Sequence, residues 1–218
     1  RPLGRALIEL AEASTVPVSV HLDHAESTDL CREAVELGFT SIMYDGSKLP
    51  DAQNRETTAE ITAFAHEHGV SVEAELGEVG GKNGVHDPSA RTNPEDAAKF
   101  VADTGVDLLA VAVGSSHAMA TREAVLDNQL IAAIHELVPV PLVLHGSSGV
   151  PDEGMVAAIQ AGMTKINVST HLNVVFTQGV RQILDENPKI VDPRKYVGPA
   201  THLVQEEVER LMRLYAQA

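Results

Sequence analysis

Short apolar, β-branched runs recur along the chain at 16–24, 40–47, 70–77, 106–114, 140–149 and 163–170. Each is nearly continuous rather than alternating, the pattern of strands covered on both faces. The segments between them are amphipathic and carry helix punctuation. Ala34, Val35 and Leu37 make an apolar stripe that ends at Gly38; Ile61, Phe64 and Ala65 make another that ends at Gly69. Asn93, Pro94 and Glu95 read as a cap, a first-turn proline and a favourable acid, opening a helix that stops near Gly105. Pro151 to Ala161 repeats the pattern and stops at Gly162. The first 15 residues predict a helix leading into the first strand. Leu203 to Tyr215 predicts an amphipathic helix that packs through Val208, Leu211, Met212 and Tyr215, with Glu206, Glu207, Glu209 and Arg210 as its wet face.

Six strands alternating with helices imply a parallel sheet with right-handed crossovers. That pattern alone fits an open doubly wound sheet or part of a closed barrel. The strand ends separate the two, because His21, Asp23, His24, Asp45, Glu75, His117, His145, Ser148 and Asn167 fall at the C-terminal ends of all six runs. A barrel builds its site from many strand ends, whereas an open sheet concentrates it at one crevice. The expected fold is therefore α/β, a TIM (β/α)8 barrel in one domain over 1–218, with six of its eight strands in this sequence. The barrel's first strand, first helix and second strand are expected to be the missing part. The opening Arg1-Pro2-Leu3-Gly4, without an initiator methionine, fits a processed, cropped or partial sequence. Six strands alone would leave two sheet edges and apolar surface exposed, so these residues by themselves are expected to be poorly soluble or inactive.

Composition narrows the partners. The 218 residues are 44% hydrophobic, enough for one sizeable core. Sixteen Lys and Arg stand against 31 Asp and Glu, a net charge of −15, which disfavours nucleic acid and anionic membranes as partners. An anionic substrate must then be held locally by a metal, backbone amides and a few placed cations. Cys31 is the single cysteine, which excludes an intrachain disulfide and a cysteine-rich zinc module and agrees with a cytoplasmic location. No apolar run reaches the roughly 18 residues of a membrane span, and no signal-peptide pattern is present.

The densest chemistry is His21-Leu22-Asp23-His24. With a period of two, His21 and Asp23 share a face and His24 points away unless the strand has already turned into its loop. Such a cluster can serve merely as a hydrogen-bonded strand end. His117 and His145 stand at equivalent places, however, and three imidazoles from three strand ends can hold a zinc-like ion with a position left open. Gly146-Ser147-Ser148-Gly149 and Asn167-Val168-Ser169-Thr170 supply small residues where backbone amides can approach an anion. Lys48 and Lys165, the lysines nearest strand ends, read as salt-bridge or phosphate contacts rather than Schiff-base formers. His66, His68, His86, His135 and His202 read as surface, and Met43 and Met163 as core.

In order, HLDHAES, SIMYDGSKLP, VEAELGEVGG, VGSSHA, LVLHGSSGVP, TKINVST and DPRKY resemble the class II fructose-bisphosphate and tagatose-bisphosphate aldolase family, over about residues 16 to 196. The resemblance implies a TIM barrel in which His24, His117 and His145 bind zinc and Asp23 transfers the proton at the aldehyde oxygen. It places Asp45 and Glu75 at an alternate or second divalent-metal site, and Ser148, Asn167, Ser169 and Thr170 around the dihydroxyacetone-phosphate end. Gly146, counted with that substrate-binding group, and Lys165 fall near a monovalent-cation (Na+ or K+) site of some members. Homodimers or homotetramers are implied. Three positions depart from the family. Gly80-Gly81 is followed by Lys82-Asn83-Gly84 where many relatives carry a loop glutamate, leaving Glu78 or Asp87 as substitutes if that loop folds inward; Ala118 stands where a glycine often follows the second histidine; and His171 occupies an often acidic position.

The expected activity is cleavage of fructose 1,6-bisphosphate or tagatose 1,6-bisphosphate, a small sugar-phosphate substrate. Breaking the C3–C4 bond leaves a carbanion that needs an electron sink, which a divalent ion at the C2 carbonyl provides. A metal-dependent barrel hydrolase and a non-catalytic sugar-phosphate-binding relative stand as alternatives.

Overall fold

Parallel strands cannot be joined by tight turns, and each strand here returns through a helix. The computed structural model describes residues 1–76 and 91–216. In it β1 (His21–Ala25), β2 (Ser41–Tyr44), β3 (Ser71–Leu76), β4 (Leu108–Val111), β5 (Leu142–Leu144) and β6 (Met163–Ile166) lie side by side in chain order, all neighbours parallel. The sheet curls into a half-barrel. The helices are α1 (Pro2–Glu12), α2 (Thr28–Leu37), α3 (Asp51–Glu67), α4 (Pro94–Thr104), α5 (Asn128–Leu137), α6 (Asp152–Ala161), α7 (Thr170–Glu186) and α8 (Arg194–Ala216).

Local chemistry sets the boundaries. Ser27, Asn93 and Asp127 each accept a first-turn N–H, opening α2, α4 and α5. Gly38 and Gly105 end α2 and α4 in the left-handed region, where a Cβ would be strained. The strands are shorter than the apolar runs that predict them. Val16 and Val18, for instance, precede β1 and stay 63% and 49% exposed, because ladder pairing to β2 starts only at His21.

The strand period of two divides the sheet into an apolar and a chemical face. Ile42, Tyr44, Val72, Ala74, Leu109, Val111, Leu142 and Leu144 join Ile61, Phe100, Ile131 and Ile134 from the helices in one continuous core. The alternate positions face the inside of the curl. Register aligns Met43 with Glu73, and Glu75 with Ala110, Val143 and Lys165, so two glutamates that are 0% exposed share this face with small or apolar residues and one lysine. Met43 and Met163 are buried, as expected.

The C-terminal helix corrects one expectation. Leu211 is buried and Arg210 is 42% exposed, as expected, but Glu207 is only 17% exposed and does not belong to the wet face. Arg210 donates to Glu207 at 2.8 and 2.9 Å and reaches Asp152 at the start of α6 at 2.6 Å, while Glu207 meets His171 of α7 at 2.7 Å. Helical periodicity assigns the side of the helix but does not show that α6 and α7 present matching charges there. Glu209 with Arg213 and Glu206 with His202 are the surface pairs the sequence suggests.

Two outcomes follow from this packing. Phe100→Ala opens a cavity under α4 and is expected to lower stability by about 3–5 kcal/mol in denaturant melts; a loss below about 1 kcal/mol contradicts the core described. Hydrogen bonding from Arg210, with His171 adding to it against burial, holds Glu207 at about 2, below its ordinary 4.5. A depressed folded value stabilises fully above pH 4.5 and loses that contribution as pH falls toward 2. The stability gap between wild type and Glu207→Gln should therefore shrink over that window, and a gap independent of pH contradicts the assignment.

Candidate active site at the strand ends

His24 reaches the site through a backbone irregularity. The β1–β2 register shifts between Leu22 and Ala25, and His24 has φ +48, a left-handed conformation that is uncommon for a residue with a Cβ. The shift cancels the alternation that would send His24 to the far face. Its ring lies 4.5 Å from His145 and 5.1 Å from His117, centroid to centroid, and His117 lies 5.5 Å from His145. All three pairs are near perpendicular, so edges rather than faces converge. One ligand atom from each of His24, Glu75, His117 and His145 lies within 4.8 Å of the others.

Two carboxylates hold the outer edges of these rings. Asp45 Oδ2 is 2.7 Å from His24 Nδ1, and its other oxygen accepts from the Ser47 hydroxyl at 2.6 Å. Glu73 Oε1 is 2.8 Å from His145 Nε2, and its other oxygen accepts from Lys165 Nζ at 2.8 Å. Burial pushes the Glu73 carboxyl up, but His145 and Lys165 outweigh it and hold it at about 2. An ionised carboxylate only accepts, so both outer nitrogens carry protons. His24 Nε2 and His145 Nδ1 face each other at 2.8 Å, within hydrogen-bond distance, and in two neutral rings with these outer protons both are lone pairs. Two lone pairs at that distance repel unless a cation lies between or beside them. The donor set and its protonation thus fit a divalent ion, with the outer-carboxylate support that metal-bound imidazoles ordinarily have. With that proton on Nε2, the 3.2 Å approach of Asn167 Nδ2 is packing, and the side-chain oxygen Oδ1 of Asn167 is held by Lys165 at 2.8 Å.

The group opens onto a cavity of about 630 Å³. Asp23, Gly146, Ser148, Asn167, Ser169 and Thr170 all line it, together with His24 and His117. Asp23 is half exposed, 3.8 Å from His21 Nε2. His21 is fixed from behind by Ser41 at 2.8 Å, and burial lowers its pKa. Gly146 has φ +66, and a Cβ there would meet the Ser116 backbone at 2.6 Å, so only glycine lets the β5 turn pass the loop carrying His117. Ser147 donates to the Asn167 carbonyl, tying this turn to the end of β6.

The structure therefore brings His24, His117, His145 and Glu75 together and sets Asp45 outside them, on the far nitrogen of His24. Lys48 pairs with Glu26, and Lys165 with Glu73. Ala118 has φ +60, which accounts for the glycine preferred at its position. His86, the Gly80 to Gly84 run, Glu78 and Asp87 lie outside the described residues. Glu73 was missed in the sequence, although its spacing of two from Glu75 puts both carboxylates on one strand face.

A curled parallel sheet with imidazoles and a carboxylate converging at its strand ends defines an α/β enzyme built around a metal site. Comparison with known proteins gives the family. The family described as fructose-bisphosphate aldolase class-II matches residues 1–218. A fructose-bisphosphate aldolase of Geobacillus stearothermophilus is 40% identical over 206 residues, covering 94% of this chain and 72% of its own. The YdjI aldolase of Escherichia coli K12 superposes with a TM-score of 0.80 at 32% identity, over 98% of this chain and 74% of that one. A crystal structure from Coccidioides immitis reaches 0.86 at 31% identity, over 99% and 77%. The chain belongs to the metal-dependent class II fructose-bisphosphate aldolase family.

If Asp45 fixes the His24 tautomer, Asp45→Asn should lower divalent-ion affinity about 10–100-fold in a chelator competition. An affinity unchanged within about twofold removes that role.

Proposed function

We propose that this chain catalyses reversible cleavage of a ketose 1,6-bisphosphate, fructose 1,6-bisphosphate first, to dihydroxyacetone phosphate and glyceraldehyde 3-phosphate. The observation that carries this reading is the placement of Asp23 on the rim of the cavity into which His24 and His117 also project, with Ser148, Asn167, Ser169 and Thr170 on that cavity's wall. The names of the Geobacillus and Escherichia relatives support it.

In this reading His24, His117 and His145 hold zinc, with Glu75 as a fourth available donor. When bound, the ion supplies the electrophile for the C2 carbonyl and for the charge left at C3. Asp23 moves the proton between the C4 hydroxyl and solvent, which its half-exposed side chain can reach. Ser148, Asn167, Ser169 and Thr170 take the phosphate of the dihydroxyacetone end, where Gly146 lets the backbone come close. Asp45 and Glu75, expected at an alternate or second divalent site, are assigned here to one ion, Asp45 by orienting His24 and Glu75 by facing the cluster. Lys165, near the expected Na+ or K+ position, already balances the Glu73 charge at 2.8 Å.

The curled sheet is read as six strands of one eight-stranded TIM barrel domain, a reading supported by its curl and by the unbroken strand order. The single cysteine, Cys31, free and buried, supports a cytoplasmic setting. No described helix is long and apolar enough to cross a membrane. The family resemblance adds a homodimer or homotetramer.

Full-length protein is expected to release triose phosphates from fructose or tagatose 1,6-bisphosphate, to lose that activity to a chelator and to regain it with zinc. Asp23→Asn should lower kcat about 10²–10⁴-fold with bound zinc unchanged. Release of inorganic phosphate without trioses would instead establish a hydrolase, and bound zinc without turnover a binding protein.

A further inference from the structure

The turn after β5 sits inside a closed circuit of polar contacts. Ser148 Oγ accepts the His171 backbone N–H at 3.1 Å, and the His171 side chain meets Glu207 at 2.7 Å. Arg210 joins Glu207 to Asp152, and Arg122 also donates to Asp152. Arg122 closes the circuit by donating twice to the Val150 carbonyl, at 2.8 and 3.0 Å, two residues from Ser148. The circuit crosses the starts of α6 and α7, helix α8 and the stretch after His117, yet among its side chains only Ser148 lines the cavity. His171 and Glu207 side chains are 20% and 17% exposed, so water does not replace this pair freely.

Its chemical consequence falls on Ser148. A hydroxyl has one proton to donate, and the His171 N–H occupies acceptor capacity on the oxygen. The serine proton is thereby left to point away from α7, on the cavity side, as a donor to an anion. The residues just before His171, Ser169 and Thr170, line the same wall, so the position of α7 sets all three.

We propose that His171 and Glu207 are positioning residues for the phosphate-binding end of the cavity, holding α7 against α8 so that Ser148 presents its proton to a phosphate oxygen. This rests on the reading that Ser148, Ser169 and Thr170 take a substrate phosphate. His171 is also where the chain departs from an often acidic family position; an acid there would face Glu207 and break the circuit.

The test uses full-length, zinc-loaded protein with fructose 1,6-bisphosphate as substrate and inorganic phosphate as competitor. His171→Ala and Glu207→Ala are expected to raise both KM and the phosphate inhibition constant roughly three- to tenfold, the scale of one charge-assisted hydrogen bond, with kcat and zinc content within about twofold. Glu207→Gln, whose amide oxygen still accepts from His171, should restore KM. Adding Glu207→Ala to Ser148→Ala should raise KM by a smaller factor than Glu207→Ala does alone, because only the part of its effect that runs through Ser169 and Thr170 is left. Wild-type turnover with KM unmoved by Glu207→Ala, or an undiminished effect in the Ser148→Ala background, overturns the positioning role alone. A wild type that neither cleaves the bisphosphate nor is inhibited by phosphate overturns the functional reading and this proposal with it.

Discussion

Everything at the site depends on two imidazole nitrogens being held face to face. Asp45 and Glu73 take the outer N–H groups of His24 and His145, which turns Nε2 and Nδ1 toward each other at a separation of 2.8 Å. Neither ring can turn away without taking a hydrogen-bond partner from one oxygen of a buried carboxylate, which is costly even though Ser47 and Lys165 keep the other oxygens paired. In two neutral rings these nitrogens are lone pairs, and a cation relieves their repulsion. Preorganisation of this kind lets the site bind an ion without reorganising side chains at that moment.

That arrangement explains why the inside of the sheet carries charge while the outside is a conventional core. Glu73 and Glu75 are completely buried, yet Glu73 is satisfied by His145 and Lys165 and Glu75 belongs to the imidazole group. The small neighbours Ala110 and Gly146 leave room for these polar side chains and for the turn that carries His145. The cost is taken in backbone conformation. His24 and Ala118 are the two non-glycine residues with positive φ among those described, one a member of the cluster and the other next to one. Left-handed residues of this kind persist only where surrounding contacts enforce them.

Much of this was legible in the sequence, for physical reasons. Strand and helix order followed from apolar runs and from caps such as Asn93 and Gly105, and strand-end polarity marked the site. The orientation of His24 was left open, because alternation predicts the wrong face and only an irregular register corrects it. Asp45 was seen as a strand-end acid, but whether it ligates an ion or orients a ligand depends on a distance that spacing does not encode. Glu73 was passed over because a glutamate inside an apolar run has no local partner; its partners are 72 and 92 residues away. Glu207 and Arg210 look like solvent-facing charge for a related reason, since His171 reaches Glu207 and Asp152 reaches Arg210 only through the packing of α6, α7 and α8.

X-ray absorption at the zinc edge of the loaded protein tests the central claim most directly. The account predicts three imidazole nitrogens at roughly 2.0–2.1 Å, falling to two in His145→Ala. Fewer than three imidazoles in the wild type, or a shell unchanged by His145→Ala, would contradict it.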